Sequence, residues 1–406
     1  MAWTEDRWSI TVTGDNGSTQ QHSARHGTGL RWRVRYETPD GRERSRSFTR
    51  KPDADRFRAG IEADLLRGTY MDPDAGKITL AKYGRQWLAA QSFDDVSREA
   101  TAFRLSHILA GLGDKRLDQL ASTPTGIQAW MNGLKLAPST RRQCLTTLSA
   151  ICSAAVDDGR MIRNPCRTRS VKLPRPDRRK IVPLEMPQLA AIREGMPDRY
   201  AAMIEAGSSC GLRQGEIFGL SPDDIDFLPR VVHVLRQVKI VAGRLTFARP
   251  KGDKTRDVPL PAAASLAFAA QIAAFPPARV TLPWHEPGTK RHGKPVTVRL
   301  MFFSPQARNA LRRHHFNWDI WKPAIRSAGL PDARVNGMHM LRHSYASLLL
   351  HNGTNIRRVA ECLGHDDPGF TLRVYTHLMA GGDDQVRQAI DAAFGGSVRD
   401  TGESHG

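Results

Sequence analysis

At 406 residues the chain is longer than one hydrophobic core normally serves, so two or three domains are expected. Lysine and arginine total 60 against 41 acids, giving a formal charge of +19 and a pI near 10.3; so basic a chain suits a polyanion, nucleic acid foremost. Five scattered cysteines without a CxxC, no basic-then-apolar start and no run of 18 apolar residues argue against a disulfide framework, a cysteine zinc site, a signal peptide and a membrane span, and suit a reducing cytoplasm.

In the first segment, residues 1–75, the stretch RWRVRYETPDGRERSRSF alternates with the period of a half-buried strand. Trp32, Val34 and Tyr36 fall on one face and Arg31, Arg33 and Arg35 on the other. Pro39-Asp40-Gly41 supplies a turn, and the return strand carries Arg42, Arg44 and Arg46. A helix is expected from Pro52 to about Arg67. Such a sheet, studded with arginines, suits a DNA groove, because the major groove admits a two-stranded ribbon.

Residues 76–163 read as helices: LAKYGRQWLAA, SREATAFRLSHILAGLG, GIQAWMNGLK and STRRQCLTTLSAICSAAVDDG. In the last, Ser139 is placed to cap the start, Leu145, Leu148, Cys152 and Ala155 form an apolar stripe, and Gly159 ends it. A basic, proline-punctuated linker follows over 164–182. Between Arg160 and Lys180 nine basic residues face one acid, Asp177, and the cluster Arg175, Arg178, Arg179 and Lys180 suits contact with phosphates.

The segment 183–395 is the largest, with a polar tail at 396–406. VVHVLRQVKIVAGRLTFARPKGDKTRDVPL suggests a small sheet with turns at Ala242-Gly243 and Lys251-Gly252; most of the rest reads as helical, and 278–320 as an insertion. GSSCGLRQGE sets Arg213 among glycines, and HMLRHSYASLLL puts His339, Arg342 and His343 on one helical face. LGHDDPGFTLRVYTHL adds His365 and Tyr375. Two arginines, a lysine and histidines form a phosphate-clamping set, since guanidinium matches phosphate oxygens bidentately and stays charged. A tyrosine hydroxyl supplies the nucleophile such a set otherwise lacks.

These boxes, in this order, resemble the tyrosine recombinases, specifically phage and integrative-element integrases: GLRQGE with Arg213, the turn lysine Lys251, HMLRH with His339 and Arg342, LGH with His365, and VYTH with Tyr375. The resemblance implies a mainly α fold with small β-sheets (α+β). Its catalytic tyrosine-recombinase domain would follow a helical core-binding domain and a small N-terminal arm-type DNA-binding domain. It implies that Tyr375 attacks a DNA phosphate to leave a 3′-phosphotyrosyl link, that Arg213 and Arg342 hold the non-bridging oxygens, and that Lys251, preferred over Lys254, protonates the leaving oxygen. His339 would assist at the tyrosine, His365 would hydrogen-bond the phosphate, and Glu216 would orient its neighbours. His343 is expected to satisfy a backbone carbonyl.

No cofactor, ATP or metal is implied. The implied partners are double-stranded DNA sites of core and arm types and three further copies, as a tetramer exchanging strands through a Holliday junction. An excisionase or host DNA-bending protein would be an accessory, and the setting a bacterial cytoplasm and its nucleoid. The rival readings are a type IB topoisomerase, a DNA-binding regulator without catalysis, and a metal nuclease built on Asp223, Asp224 and Asp226.

Overall fold

The computed structural model describes residues 2–14, 17–39, 41–67, 70, 72, 74–174, 182–365 and 367–375, with single positions at 387, 390, 391 and 394. The chain forms two compact units, Met1–Asp177 and Arg178–Gly406.

The first unit opens with β1 (Ala2–Asp6) and the hairpin β2 (Ser9–Gly14) and β3 (Gly17–His22). Next come β4 (Trp32–Glu37), β5 (Glu43–Phe48) and α1 (Lys51–Arg67), in an antiparallel sheet of order β1-β4-β5. The alternation works as the sequence suggests, with Val34 and Tyr36 buried against Ala54 and Ile61 of α1. The return strand corrects the picture of one arginine face. Arg46 pairs with Val34 and Arg44 with Tyr36, and directly opposed residues share a face. Arg44 and Arg46 therefore lie on the α1 side, Arg44 bridged to Asp72 at 2.9 Å and Arg46 with its guanidinium 5.1 Å from the Phe57 ring. On the other face Arg33 and Arg35 stand opposite Ser47 and Ser45. There Asp6 holds Arg31, and Glu5 and Glu43 hold Arg35.

The helices α2 (Leu80–Ala90), α3 (Asp95–Leu112), α4 (Leu117–Ser122), α5 (Pro124–Gly133) and α6 (Pro138–Asp157) share one core, into which Leu145, Leu148, Cys152 and Ala155 all point. Ser139 does not cap α6, because Pro138 starts the helix one residue earlier with Ala137 at the cap. Gly159 ends it at φ +65°. The linker's first half is not extended. Asn164 Nδ2 donates to the Ser149 carbonyl at 2.8 Å and to the Ser153 hydroxyl at 2.8 Å, a 3₁₀ turn follows at Pro165–Arg167, and Val171 packs on the helical core.

The second unit runs through α7 (Met186–Glu194), α8 (Asp198–Ala201), α9 (Met203–Ser208) and α10 (Gln214–Phe218). Two sheets follow. β6 (Ile225–Asp226), β7 (Val231–Val234) and β10 (Arg256–Pro259) form the order β10-β7-β6. β8 (Gln237–Val241) and β9 (Arg244–Ala248) join β11 (Ala278–His285) and β12 (Pro295–Leu300) as β12-β11-β9-β8, with α11 (Ala262–Ala274) inserted between β10 and β11. The two-residue turn at Ala242 (φ 46°) and Gly243 (φ 75°) closes β8 onto β9 as expected. The hairpin β11–β12 fills the first part of the segment read as an insertion; its Val280, Leu282, Trp284, Val298 and Leu300 alternate inward to the core. Then come α12 (Arg313–Phe316), a π turn, α13 (Lys322–Ser327), α14 (His339–His351), α15 (Ile356–Leu363) and α16 (Pro368–Tyr375).

Gly211 sits where α9 hands over to α10, at φ +63°; a Cβ there would meet the Tyr345 ring of α14 at 2.4 Å. Gly211→Ala is expected to lower stability by more than about 1 kcal/mol, read as the urea midpoint of the second unit's transition. An unchanged midpoint would mean this close approach is not required.

Candidate active site

The site is built on the C-terminal end of α15. A helix leaves its last carbonyls without intrahelical partners, at the negative end of its dipole. Here three successive carbonyls each receive one arginine. Arg256 Nε donates to Cys362 O at 2.7 Å, Arg342 Nη2 donates to Leu363 O, and Arg213 Nη2 donates to Gly364 O at 3.1 Å. Gly364 takes the left-handed conformation (φ 62°) that turns this end inward, which explains the glycine of the LGH box.

Glu216, 2% exposed, lies between two of these cations. It accepts from Arg256 through both oxygens (3.0 and 2.7 Å) and from Arg213 Nη1 (2.9 Å) and Arg213 backbone N–H (2.8 Å). Burial alone would raise its pKa, but the Arg256 hydrogen bonds and the charges of Arg256 and Arg213 hold it at about 2. Arg342, 1% exposed, also donates Nη1 to Gly211 O at 2.7 Å. Burial, and then the neighbouring Arg213, lower its pKa to about 9. Arg213 and Arg256 thus share one carboxylate while Arg342 is held by carbonyls, so the three guanidinium groups form a cluster short of negative charge.

The histidines sit inside this positive field. His365 Nε2 lies 3.1 Å from Arg342 Nη2, which can only donate, so Nε2 accepts and Nδ1–H donates to Thr371 Oγ1 at 2.7 Å. Burial, then Arg342 and Arg213, push His365 down to about 4. One turn of α14 carries His339 and His343, with ring centroids 4.6 Å apart. His343 Nδ1 is 2.6 Å from the hydroxyl of Tyr375, itself 2% exposed. Burial, then His339 and Arg342, lower His343 to about 3, while burial raises Tyr375 to about 12. A neutral imidazole therefore meets a protonated phenol, and the buried hydroxyl donates to Nδ1. The His339 side chain reaches solvent, yet crowding by protein and then the charges of Arg342 and Arg213 shift its pKa downward.

Arg213, Glu216, Arg342, His365 and Tyr375 are thus linked by contacts or share one small cluster, as the motif order leads one to expect, and His343 joins them. Two placements differ. His343 was expected on a backbone carbonyl, but the tyrosine hydroxyl is its partner; His339 lies on the same face at the exposed first residue of α14, whereas His343, one turn further in, lies where Tyr375 of α16 reaches it. Lys251 was expected in a hairpin, but it lies exposed in the loop joining β9 to β10, strands of different sheets. The anchoring of Arg256 on Glu216 and Cys362 O draws β10 away from β9. Lys254 is exposed in the same loop. Sequence reasoning missed Arg256 and Thr371; Arg256 stood five residues past Lys251 in the same box, with nothing in its spacing to mark it as buried. Arg175, Arg178, Arg179 and Lys180 lie outside the described residues, as do most of the last expected helix and the tail. Among the described residues no group of three His, Cys, Asp or Glu is placed to hold a metal ion, and no helix is long and apolar enough to cross a membrane.

Residues 181–381 match the model of the phage integrase family. The chain is 28% identical over 386 residues to a protein of Mycobacterium tuberculosis described as a prophage phiRv2 integrase, covering 93% of this chain and 96% of the relative. It is 33% identical over 181 residues to the tyrosine recombinase XerD of Rhizobium meliloti, over 45% of this chain and 48% of that one. Among solved structures its fold is like that of the Tn1549 transposon integrase in complex with transposon right end DNA (TM-score 0.63, 18% identity, 78% of this chain and 100% of that one). It is also like a lambda integrase tetramer bound to a Holliday junction (TM-score 0.55, 16% identity, 84% and 91%). Residues 181–381 belong to the phage integrase family of tyrosine recombinases. The chain is a site-specific recombinase.

Two outcomes follow from the buried charges. Glu216→Ala would strand two guanidinium groups and is expected to cost about 3–5 kcal/mol in denaturant unfolding. For pH, the folded values of His343, His365 and Glu216 all lie below the ordinary ones. Below about pH 6.5 the unfolded chain binds protons that the folded histidines refuse, so stability present above that pH is lost on acidification. Below about pH 4.5 Glu216 adds to the loss. A melting temperature that stays flat from about pH 7 to about pH 5 would contradict this.

Proposed function

We propose that Tyr375 is the nucleophile of strand cleavage, with His343 as its immediate proton acceptor. The observation that carries this is the 2.6 Å contact between His343 Nδ1 and the buried Tyr375 hydroxyl, beside a cluster of three guanidinium groups with the single carboxylate of Glu216. Arg213 and Arg342 clamp the non-bridging oxygens of the scissile phosphate, which supplies the missing negative charge. That charge has a second effect: it relieves the repulsion that keeps His343 and His365 neutral, so both become better proton holders when DNA is bound. The phenol oxygen then attacks phosphorus, its proton passes to His343, the bond to the 5′ oxygen breaks, and Lys251 delivers a proton to that leaving oxygen. The product is a 3′-phosphotyrosyl ester, and the reverse sequence rejoins the strand with no ATP or metal. His365 buttresses Arg342 and meets the phosphate once protonated; His339 packs against His343; Glu216 and Arg256 hold Arg213 in place.

At the level of domains, residues 1–75 serve as the arm-type module, 76–163 as the core-binding module, 164–182 as the linker and 183–395 as the catalytic domain. Arg33, with Arg31 and Arg35 beside it, is the candidate arm contact, whereas Arg44 and Arg46 support the core of that module. Four copies on DNA exchange strands through a Holliday junction, an excisionase or DNA-bending host protein biasing direction, within the bacterial nucleoid.

Incubation with a random-sequence library of nicked duplexes tests the reaction class, because a nick beside the cleavage point traps the covalent adduct. Wild type is expected to yield protein-linked DNA and Tyr375→Phe none. His343→Gln is expected to slow adduct formation by about 10²–10⁴-fold, the range of a lost general base, without weakening DNA binding. Adduct from neither wild type nor variant, with binding intact, would favour a regulator. Plasmid relaxation without recombinant product would favour a topoisomerase, and loss of activity to a chelator a metal nuclease.

A further inference from the structure

The tip of the β11–β12 hairpin, residues 286–294, has no role in the account so far. Its position is fixed by register. β11 runs parallel to β9, with Trp284 beside Phe247 and His285 beside Ala248, so both strands end together. The chain beyond β9 is Arg249-Pro250-Lys251, and the chain beyond β11 is the tip. A salt bridge of 3.1 Å from Arg249 to Glu286 ties the two segments. This end of the sheet also abuts α10, whose N-cap is Arg213: a Cβ on Gly215 would meet Val238 O at 2.9 Å, and one on Gly219 the Gln237 Cα at 3.3 Å. Lys251, in turn, is five residues from the anchored Arg256, no more than about 18 Å of extended chain.

The tip is ordered and exposed. Gly293 N–H donates to Trp284 O (2.8 Å), Trp284 N–H to Lys294 O (2.8 Å), and His292 N–H to Thr289 O (3.2 Å). Trp284 Nε1 donates to Glu286 (2.8 Å), and the Arg291 guanidinium sits 3.8 Å from the Trp284 ring centroid. With Glu286 taken up by Trp284 and Arg249, the exposed cations Lys290, Arg291 and Lys294 meet no other acid on the tip. Residues 287–294 are all exposed, and cations that pair with no acid among the described residues, beside the loop of Lys251, suit a polyanion docked there.

We propose that Lys290, Arg291 and Lys294 form a second contact for the DNA sugar-phosphate backbone, beside the phosphate that Lys251 serves. The inference rests on the assignment of Lys251 above. The contact carries no sequence information; it fixes register and holds the duplex while strands are open.

The test is a salt titration of binding to a labelled short duplex of mixed sequence, comparing the full-length wild type with the triple variant Lys290→Gln, Arg291→Gln, Lys294→Gln. Each lost phosphate contact removes about 0.9 from the slope of log affinity against log salt, so a slope shallower by about 2–3 is expected. The single variant Lys290→Gln, exposed and outside every packed contact, should lose about 0.9 and guards against misfolding of the triple. An unchanged slope in both variants overturns the proposal, and if recombinant product is lost at the same time the tip is a contact between copies. Adduct capture run in parallel separates the failures. A shallower slope with no adduct from wild type leaves the contact standing and sinks the recombinase assignment of Tyr375.

Discussion

Three consecutive carbonyls at the end of one short helix hold the catalytic unit's chemistry together. Cys362, Leu363 and Gly364 would be unsatisfied at the end of α15, and each takes a guanidinium from a different part of the chain: β10, α14 and the N-cap of α10. A buried arginine is costly without such partners. The arrangement therefore does two things at once, satisfying the helix end and aligning three cations that would otherwise repel one another. Gly211 O and Glu216 complete the cradle from the opposite side.

The cradle is incomplete in charge, and the histidines register this. His343 and His365 are kept neutral by burial and by the arginines. Tyr375 keeps its proton for lack of solvent and donates a hydrogen bond to His343. The resting site is thus protected against idle deprotonation, and in the proposed reaction the phosphate to be attacked removes that protection, without a separate gate.

Much of this could be read from residues. The period-2 pattern of RWRVRYE located β4 and its buried face, and the stripe Leu145, Leu148, Cys152 and Ala155 located α6, because local periodicity is set by backbone geometry. The boxes around Arg213, Arg342, His365 and Tyr375 converge because each chemistry-bearing side chain sits next to a glycine or helix end with a local signature. What could not be read depends on partners far along the chain. Whether Arg44 and Arg46 face DNA or a core depends on strand register, which alternation within one strand does not define. Arg256 carries no local mark of burial, because Glu216 and Cys362 come to it from 40 and 106 residues away. The choice between His339 and His343 turned on where α16 packs along α14, since both lie on the same face and only that packing decides which meets Tyr375. The β11–β12 hairpin was hidden because its pairing with β9 closes over an intervening helix.

The central claim is that an anion completes the guanidinium cradle and turns His343 from a resting partner into a proton acceptor. A crystal structure of the chain with a cleaved duplex and orthovanadate, which mimics the five-coordinate phosphorus, tests it directly. The account predicts vanadium bonded to Tyr375 Oη, equatorial oxygens held by Arg213 and Arg342, His343 Nδ1 still within hydrogen-bond reach of that oxygen, and the three arginine-to-carbonyl contacts of α15 retained. Vanadate seated away from Arg213 and Arg342, or a Tyr375 oxygen bonded to vanadium with His339 rather than His343 beside it, would contradict it.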